Sequence, residues 1–572
     1  MQASSSAGLS LSTTSGSSVS TGGFDPVLEW SYGSGSFCGP PAVGPIADTN
    51  GSGAIDRGDL PAIVLYGERS QVVALRGDGT VLWESERPYG DSGGLAIGDV
   101  DGDGWPEVIT AGYQTICALD GRDGTESWCA TGLGDDLDDS GWNYPAIADM
   151  DGDGAPEVTV GSLILDGRTG DVVGRGDLGL GSVPKGGVES ALTFGRLSVP
   201  ADLNGDGELE LVTGNAAYHR DGSILWARDA LDGLVAIADF DGDGEAEIVK
   251  TSGVWAIGME SDGTFAWKEG PYPGNLGPPA VDDLDGDGAP EMVFATQTSL
   301  IALRWGGEEM WRSPIDDESG AAGPVLFDFE MDGYPEVLFA DETSIRFLSG
   351  LDGSVKYLDD RHASITALET PVVADVDGDG HVEIVLGHCS GGDEYGLLSV
   401  YGDEFDSWPP GRRVWNQHAY SITNVTDIGG IPASAQPNWP ELNSFRSGDV
   451  GRPPLKFIDL QAEILGVCET ECDTRVIVDA RVLNAGNIEA PAKIPVLLRA
   501  GIGGPVVGET TTTEKIPAGK SGETLHFVVG ALDIRGKVPV VEVDARQDST
   551  GDVFECDEAN NVDAWERAAC GR

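Results

Sequence analysis

The chain has 572 residues, 96 of them acidic and 34 basic, for a formal net charge of −62 at neutral pH. A field of that sign and size disfavours nucleic acid and anionic membrane surfaces as partners, and no apolar run approaches the roughly 20 residues of a membrane-spanning helix. The eight cysteines are even in number and lack zinc-ligand spacing, which fits disulfide pairing in an oxidising compartment.

Residues 1–24 are rich in Ser and Gly and read as a flexible linker. They contain no hydrophobic signal segment. An export signal, of lipoprotein type or leading to another cell-wall tether, is therefore expected upstream. "PVLEWSYG" at 26–33 is a strand carrying Trp30, placed ahead of the first acidic loop as Trp83 is placed ahead of the second. It is expected to join the last repeat and close the architecture.

The phrase that organises the chain is clearest in "DVDGDGWPEVIT", residues 99–110. Asp99, Asp101 and Asp103 at positions 1, 3 and 5 of a tight loop can turn their carboxylates onto one point. Gly102 and Gly104 permit the turn, Trp105 offers a carbonyl at position 7, and Glu107 falls at position 9. An all-oxygen cage of this kind suits Ca2+. No glutamate stands at position 12 and a β-rich run follows, so the loop joins two strands rather than two helices.

The phrase recurs at Asp149, Asp151, Asp153 and Glu157; at Asp202, Asn204, Asp206 and Glu210; at Asp239, Asp241, Asp243 and Glu247; at Asp283, Asp285, Asp287 and Glu291; and at Asp375, Asp377, Asp379 and Glu383. A weaker copy has Asp328, Glu330, Asp332 and Glu336, with Met331 in place of the first glycine. The earliest copy has Asp48, Asn50, Ser52 and Asp56, and Asp59 at position 12, which brings it nearer an EF-hand or dockerin loop. All of these residues are candidate Ca2+ ligands, one ion per loop.

Successive loops start 37 to 53 residues apart, about the length of one four-stranded propeller blade. Each unit reads as a strand, the acidic loop, two further strands, and a fourth strand after a "DG" turn. The fold expected for 25–407 is an all-β, eight-bladed β-propeller, with seven blades as the alternative. Trp83, Trp128, Trp226, Trp267 and Trp311 occupy the fourth strands. Tyr357 stands there in the seventh unit, Trp408 is a candidate in the eighth, and the third has no tryptophan. These rings are expected to wedge one unit against the next.

Cys117 and Cys129 flank "ALDGRDGTESW" symmetrically and should pair across a hairpin. Cys38 and Cys389 remain for a bond between the first and last units, while Cys468, Cys472, Cys556 and Cys570 should pair within the C-terminal part. Residues 408–454 lack the repeat and concentrate Trp, Pro, Arg and His; packing across one face of the ring is expected. Alternating strands resume over 455–572 without acidic loops, in a number and length that suit an immunoglobulin-like β-sandwich.

With these loops, the chain over roughly 25–410 resembles the bacterial FG-GAP or VCBS-type repeat proteins, whose propellers are related to the calcium-bearing head of integrin α subunits. "NAGN" at 484–487, "IPAGKS" at 516–521 and "ECDEANN" at 555–561 resemble the CARDB family, a bacterial domain related to cell adhesion. The resemblance implies a secreted or surface-tethered, non-catalytic binding module for an extracellular protein or polysaccharide. The alternative is a calcium-dependent polysaccharide lyase of the rhamnogalacturonan type, which needs a basic, aromatic-lined groove. Against that, the arginines are scattered, apart from Arg412 and Arg413.

Other matches are weaker. "GDSGG" at 90–94 matches the phrase around a trypsin-like nucleophile without its companion histidine motif, and fits a turn between units. "RGD" at 57–59 spends Asp59 on the first loop. The "DG" turns with tryptophan are shared with PQQ-dependent dehydrogenases, whose vicinal cysteines do not occur here. No two of the six histidines lie close enough in sequence to form a pair.

Overall fold

The computed structural model describes the chain apart from residues 1–18, 21–25, 91, 113, 139–140, 185–192, 229–230, 365–367, 390–395, 404–406, 441, 449–456, 459, 469–471, 485–489, 491, 518–519, 544–553, 556–561, 566 and 571–572. Each acidic loop lies between two strands whose residues decide its place. After its opening glutamate, the strand leaving the loop is a β-branched or apolar run, as in Glu107–Ala111 or Glu291–Ala295, and is buried along its whole length. Burial on both faces explains why it does not alternate.

Among the described residues, eight antiparallel sheets built on four strands follow one another, each a meander in chain order except the last. The second, for example, consists of Leu95–Gly98, Glu107–Ala111, Thr115–Asp120 and Glu126–Thr131. The eighth takes Val372–Ala374, Glu383–Gly387 and Leu398–Asp403 from one end of the repeat region and Pro26–Tyr32 from the other, paired from Pro26 opposite Asp403 to Tyr32 opposite Leu398. The first strands of consecutive sheets touch from the first sheet to the seventh, and that of the eighth touches that of the first. Val19–Ser20, within the expected linker, pairs with the outer strand of the seventh sheet.

The outer strands are mostly exposed, and their tryptophans turn toward the neighbouring sheet. Trp83 donates its Nε1 hydrogen to the Gly121 carbonyl (2.7 Å), Trp128 to Gly167 (2.8 Å), Trp226 to Ser261 (2.9 Å) and Trp311 to Gly350 (2.6 Å), each in the following sheet's turn. The indole lies against the turn glycine. At Gly124 (φ +74°) a Cβ would come 2.5 Å from the Trp83 ring, so the turn needs glycine for conformation and for space. Trp30 meets Gly79 of the first sheet in the same way, a Cβ there lying 2.9 Å from the ring. The eighth docking aromatic is therefore Trp30 and not Trp408. The chain has left the sheet after Asp403, and Trp408 is buried against Phe329 at 4.9 Å between ring centres.

The described residues of 408–448 bond to the first strand, or the residue just after it, in seven of the eight sheets. Asp375 N–H donates to the Arg412 carbonyl, and Val43 and Trp415 exchange backbone bonds. Ile97 meets Asn416, and Ile147 N–H donates to Gln417 Oε1 (2.6 Å). Further along, Asn443 brackets Asp239 through both amide atoms, Phe445 pairs with Val281, and Arg446 and Gly448 hold Leu326. These bonds tie the segment to seven of the eight sheets.

Disulfides join Cys38 to Cys389, Cys117 to Cys129 and Cys472 to Cys570. Cys117 and Cys129 stand opposite each other in the predicted hairpin. Cys556 lies outside the described residues, and so does part of each of the "NAGN", "IPAGKS" and "ECDEANN" signposts. Beyond residue 456, Leu460–Cys468, Arg475–Asn484, Lys520–Ser521 and Leu525–Gly530 form one sheet. Val506–Thr511, Pro495–Ala500, Pro539–Val543 and Val562–Ala564 form a second, and the two share one apolar core.

Candidate metal centres

Each acidic loop is shaped by its own carboxylates. In the second, Asp99 accepts the Gly102 N–H on one oxygen (2.8 Å) and the Gly104 N–H on the other (3.0 Å). Asp101 Oδ1 accepts the Asp103 N–H, Asp103 Oδ1 accepts the Trp105 N–H, and Glu107 Oε2 reaches back seven residues to the Val100 N–H (3.0 Å). Asp101, Asp103 and Glu107 thus each fix the loop with one oxygen and keep a second for a cation. The fifth loop repeats this with Asp239, Asp241, Asp243 and Glu247. The same glutamate-to-backbone bond recurs at Glu157, Glu210, Glu291, Glu336 and Glu383.

One carboxylate oxygen from each of Asp239, Asp241, Asp243 and Glu247 lies within 4.8 Å of the others, and so do those of Asp99, Asp101 and Glu107 and of Asp149, Asp151 and Glu157. Oxygens that close can share one ion at Ca–O distances of about 2.3–2.6 Å. In the third loop Asp151 Oδ1 is buried with no partner. The residues fit Ca2+, which when bound would supply the positive charge these carboxylates lack.

Burial and the neighbouring aspartates push Glu107 up to about 8, Glu291 to about 8 and Glu383 to about 9, while Glu210 and Glu247 rise to about 7. Burial is the larger cause, because the charged form leaves water as the strand enters the sheet. Basic side chains differ between loops. Arg220 pairs with Glu157 (2.6 Å) and Asp151 (3.2 Å). Arg304 pairs with Asp285 and lies 3.6 Å from Glu291, and Lys356 pairs with Glu330 and Glu336. Arg413 holds Asp375 (3.1 Å), and His219 lies 3.4 Å from Glu210.

The remaining candidate residues bond within their own loops, with two local differences. Asp202, Asp206, Asp283, Asp287, Asp328, Asp332 and Asp379 all accept loop N–H groups. So do Asp153 and Asp377. In the fourth loop the Asn204 amide donates to Glu210 Oε1 (3.0 Å). In the first, Asp48 accepts from Gly51, Ser52 and Gly53, and Asn50 donates to Asp56 Oδ1 (2.9 Å). Ser52 Oγ donates to the Ala54 carbonyl, and Asp59 accepts the Thr49, Asn50 and Asp56 N–H groups. Asp59 is 2% exposed, so the RGD tripeptide does not present its carboxylate. Ser92 of GDSGG is buried, and the following Gly93 N–H bonds to the Cys38 carbonyl, so the serine hydroxyl is not presented at the surface.

Sequence reasoning missed a buried histidine pair. His362 and His388, 26 residues apart, bring their Nδ1 atoms to 3.0 Å, and Ser399 Oγ lies 2.7 Å from His388 Nε2. Burial pulls both imidazoles down, His362 to about 3, so both are neutral and one Nδ1 donates to the other. Glu369, bonded to Ser364, is pushed up to about 8 by burial, with Asp317 and Glu342 adding to it. No periodic signal marks these residues, because the connection after the seventh sheet meets residues of the eighth sheet.

Residues 99–160 match the model of an FG-GAP-like repeat. No curated protein sequence matches the chain. Among solved structures, the biofilm matrix protein Bap1 of V. cholerae is similar in fold at 20% identity, over 76% of this chain and all of Bap1, with a TM-score of 0.63. The rhamnogalacturonan lyase YesW aligns at 16% identity over 76% of this chain and 84% of its own, with a TM-score of 0.46. BamB from Moraxella catarrhalis aligns at 13% over 66% and 98%, with a TM-score of 0.41. The chain is thus an all-β protein with an FG-GAP-like repeat on a framework similar to propeller-type folds.

Proposed function

We propose that the eight sheets are the blades of one closed propeller, that its acidic loops hold Ca2+, and that the protein is a non-catalytic binding module. In this reading it works outside the cell or on the bacterial surface and takes an extracellular protein or polysaccharide as ligand. The C-terminal pair of sheets serves as an immunoglobulin-like spacer of CARDB type. Three disulfides and the fold shared with a biofilm matrix protein support the location.

One observation carries the choice of binding over cleavage of an acidic polysaccharide: many of the described arginines are paired with the chain's own carboxylates. Arg87 pairs with Glu126, Arg122 with Asp120, Arg312 with Glu309 and Arg361 with Asp359. Arg412 and Arg413, the adjacent pair that could seed a basic cleft, are held by Asp427 and Asp375. A recess of about 650 Å3 between the fourth and fifth loops, lined by Asn204, Arg228, Glu245, Asp262 and Trp439, offers hydroxyl-binding groups beside an indole.

The test is incubation of calcium-loaded protein with a panel of pectic and other polysaccharides, following bound protein and unsaturated product in the same tubes. Binding without product is expected for a glycan ligand. Product that disappears with chelator would make the protein a lyase. Absence of both signals would direct the search to protein ligands.

A further inference from the structure

We propose that the seventh loop, residues 328–336, takes no divalent ion, and that the ammonium of Lys356 is its built-in cation. The inference rests on the calcium reading of the sibling loops and adds a difference among them. Lys356 stands on the outer strand Val355–Asp359 of the same sheet and donates to the carboxylates of Glu330 and Glu336. Those are positions 3 and 9 of the loop, the places held by Asp101 and Glu107 in the second.

Both oxygens of Glu336 are then in use, Oε1 on Lys356 and Oε2 on the Phe329 N–H (2.9 Å). Glu336 is fully buried, and a buried carboxylate needs a counter-charge. A lysine supplies it as a compact charge with three donors, closer to an ion in shape than a planar guanidinium is. The loop sequence has moved in step. Glu330 is one methylene longer than the aspartate found at this position in most sibling loops, which lets it meet a cation arriving from the neighbouring strand. Met331 fills the place of the first glycine with φ 51°. By contrast, none of the described basic residues forms an ion pair with Asp99, Asp101 or Glu107, or with the four acids of the fifth loop; Arg122 reaches only Asp103, at 3.7 Å.

Counting calcium ions on the intact protein by native mass spectrometry tests this. Asp241→Asn in the fifth loop should lose one ion, Glu330→Gln should lose none, and Lys356→Met should gain one, together with a calcium-dependent rise in thermal midpoint that is larger than in the parent. Loss of an ion in Glu330→Gln, or an unchanged count in folded Lys356→Met, overturns the proposal. Anomalous diffraction from calcium in wild-type crystals requires no variant to fold. Peaks in the second and fifth loops with none in the seventh are expected; a seventh-loop peak overturns the proposal. Absence of calcium from every loop would instead overturn the calcium reading on which this rests.

Discussion

Glu107 sits where a carboxylate is least stable as an anion, and its pH behaviour follows. Its folded-state pKa of about 8 lies above the ordinary 4.5, so between those values the folded chain holds a proton that the unfolded chain releases. Stability then falls as pH rises through that window, and Glu291 and Glu383 act in the same sense. In chelator, the thermal midpoint should drop from about pH 5 to about pH 8. If the loops bind calcium as proposed, binding displaces those protons, so the stabilisation by calcium should grow over the same range. A midpoint in chelator that rises with pH would refute this. Trp83→Ala should cost about 3–5 kcal/mol through the lost ring and its bond to Gly121. Gly124→Ala should cost at least the ~1–2 kcal/mol of a left-handed residue, and denaturant melts would show both. Asp99, Asp101 and Asp103 were legible as one acidic loop because alternation and glycine spacing are local. Arg220 and Lys356 were not, since they reach their carboxylates from 63 and 20 residues away.

The strand Pro26–Tyr32 was legible as the closing element because Trp30 repeats the local pattern of its siblings, and the pairing with Leu398–Asp403 follows from it. The disulfide between Cys38 and Cys389 lies near the same junction, 351 residues apart in sequence. Replacing both cysteines by serine should cost about 2–5 kcal/mol and lower the thermal midpoint. Replacing Cys117 and Cys129, which close a hairpin already held by its own ladder, should cost less, because the loop released is far shorter. A larger loss from the hairpin pair would contradict that ranking. The contacts of residues 408–448 were not legible in the same detail. The segment has no period to read, and its bonds go to strands that come together only when the sheets have assembled.

For the molecule as a whole, a net charge of −62 makes the metal-free state self-repelling. An ion present at 100 times its dissociation constant adds about 2.7 kcal/mol. A few such ions match the roughly 5–15 kcal/mol of an ordinary domain. Chelator should therefore speed limited proteolysis of the intact protein; equal rates with and without it would refute the calcium reading at this level. The central segment bears on a different property. Reading along it, Arg412 meets the eighth sheet, Trp415 the first, Asn416 the second, Gln417 the third, Asn443 the fifth, Phe445 the sixth and Arg446 the seventh. A repeated sequence could gain or lose one unit without disturbing any local pattern. Here such a change would put every later partner one sheet out of step with a segment of fixed length, so this stretch fits only the number of sheets it now ties together.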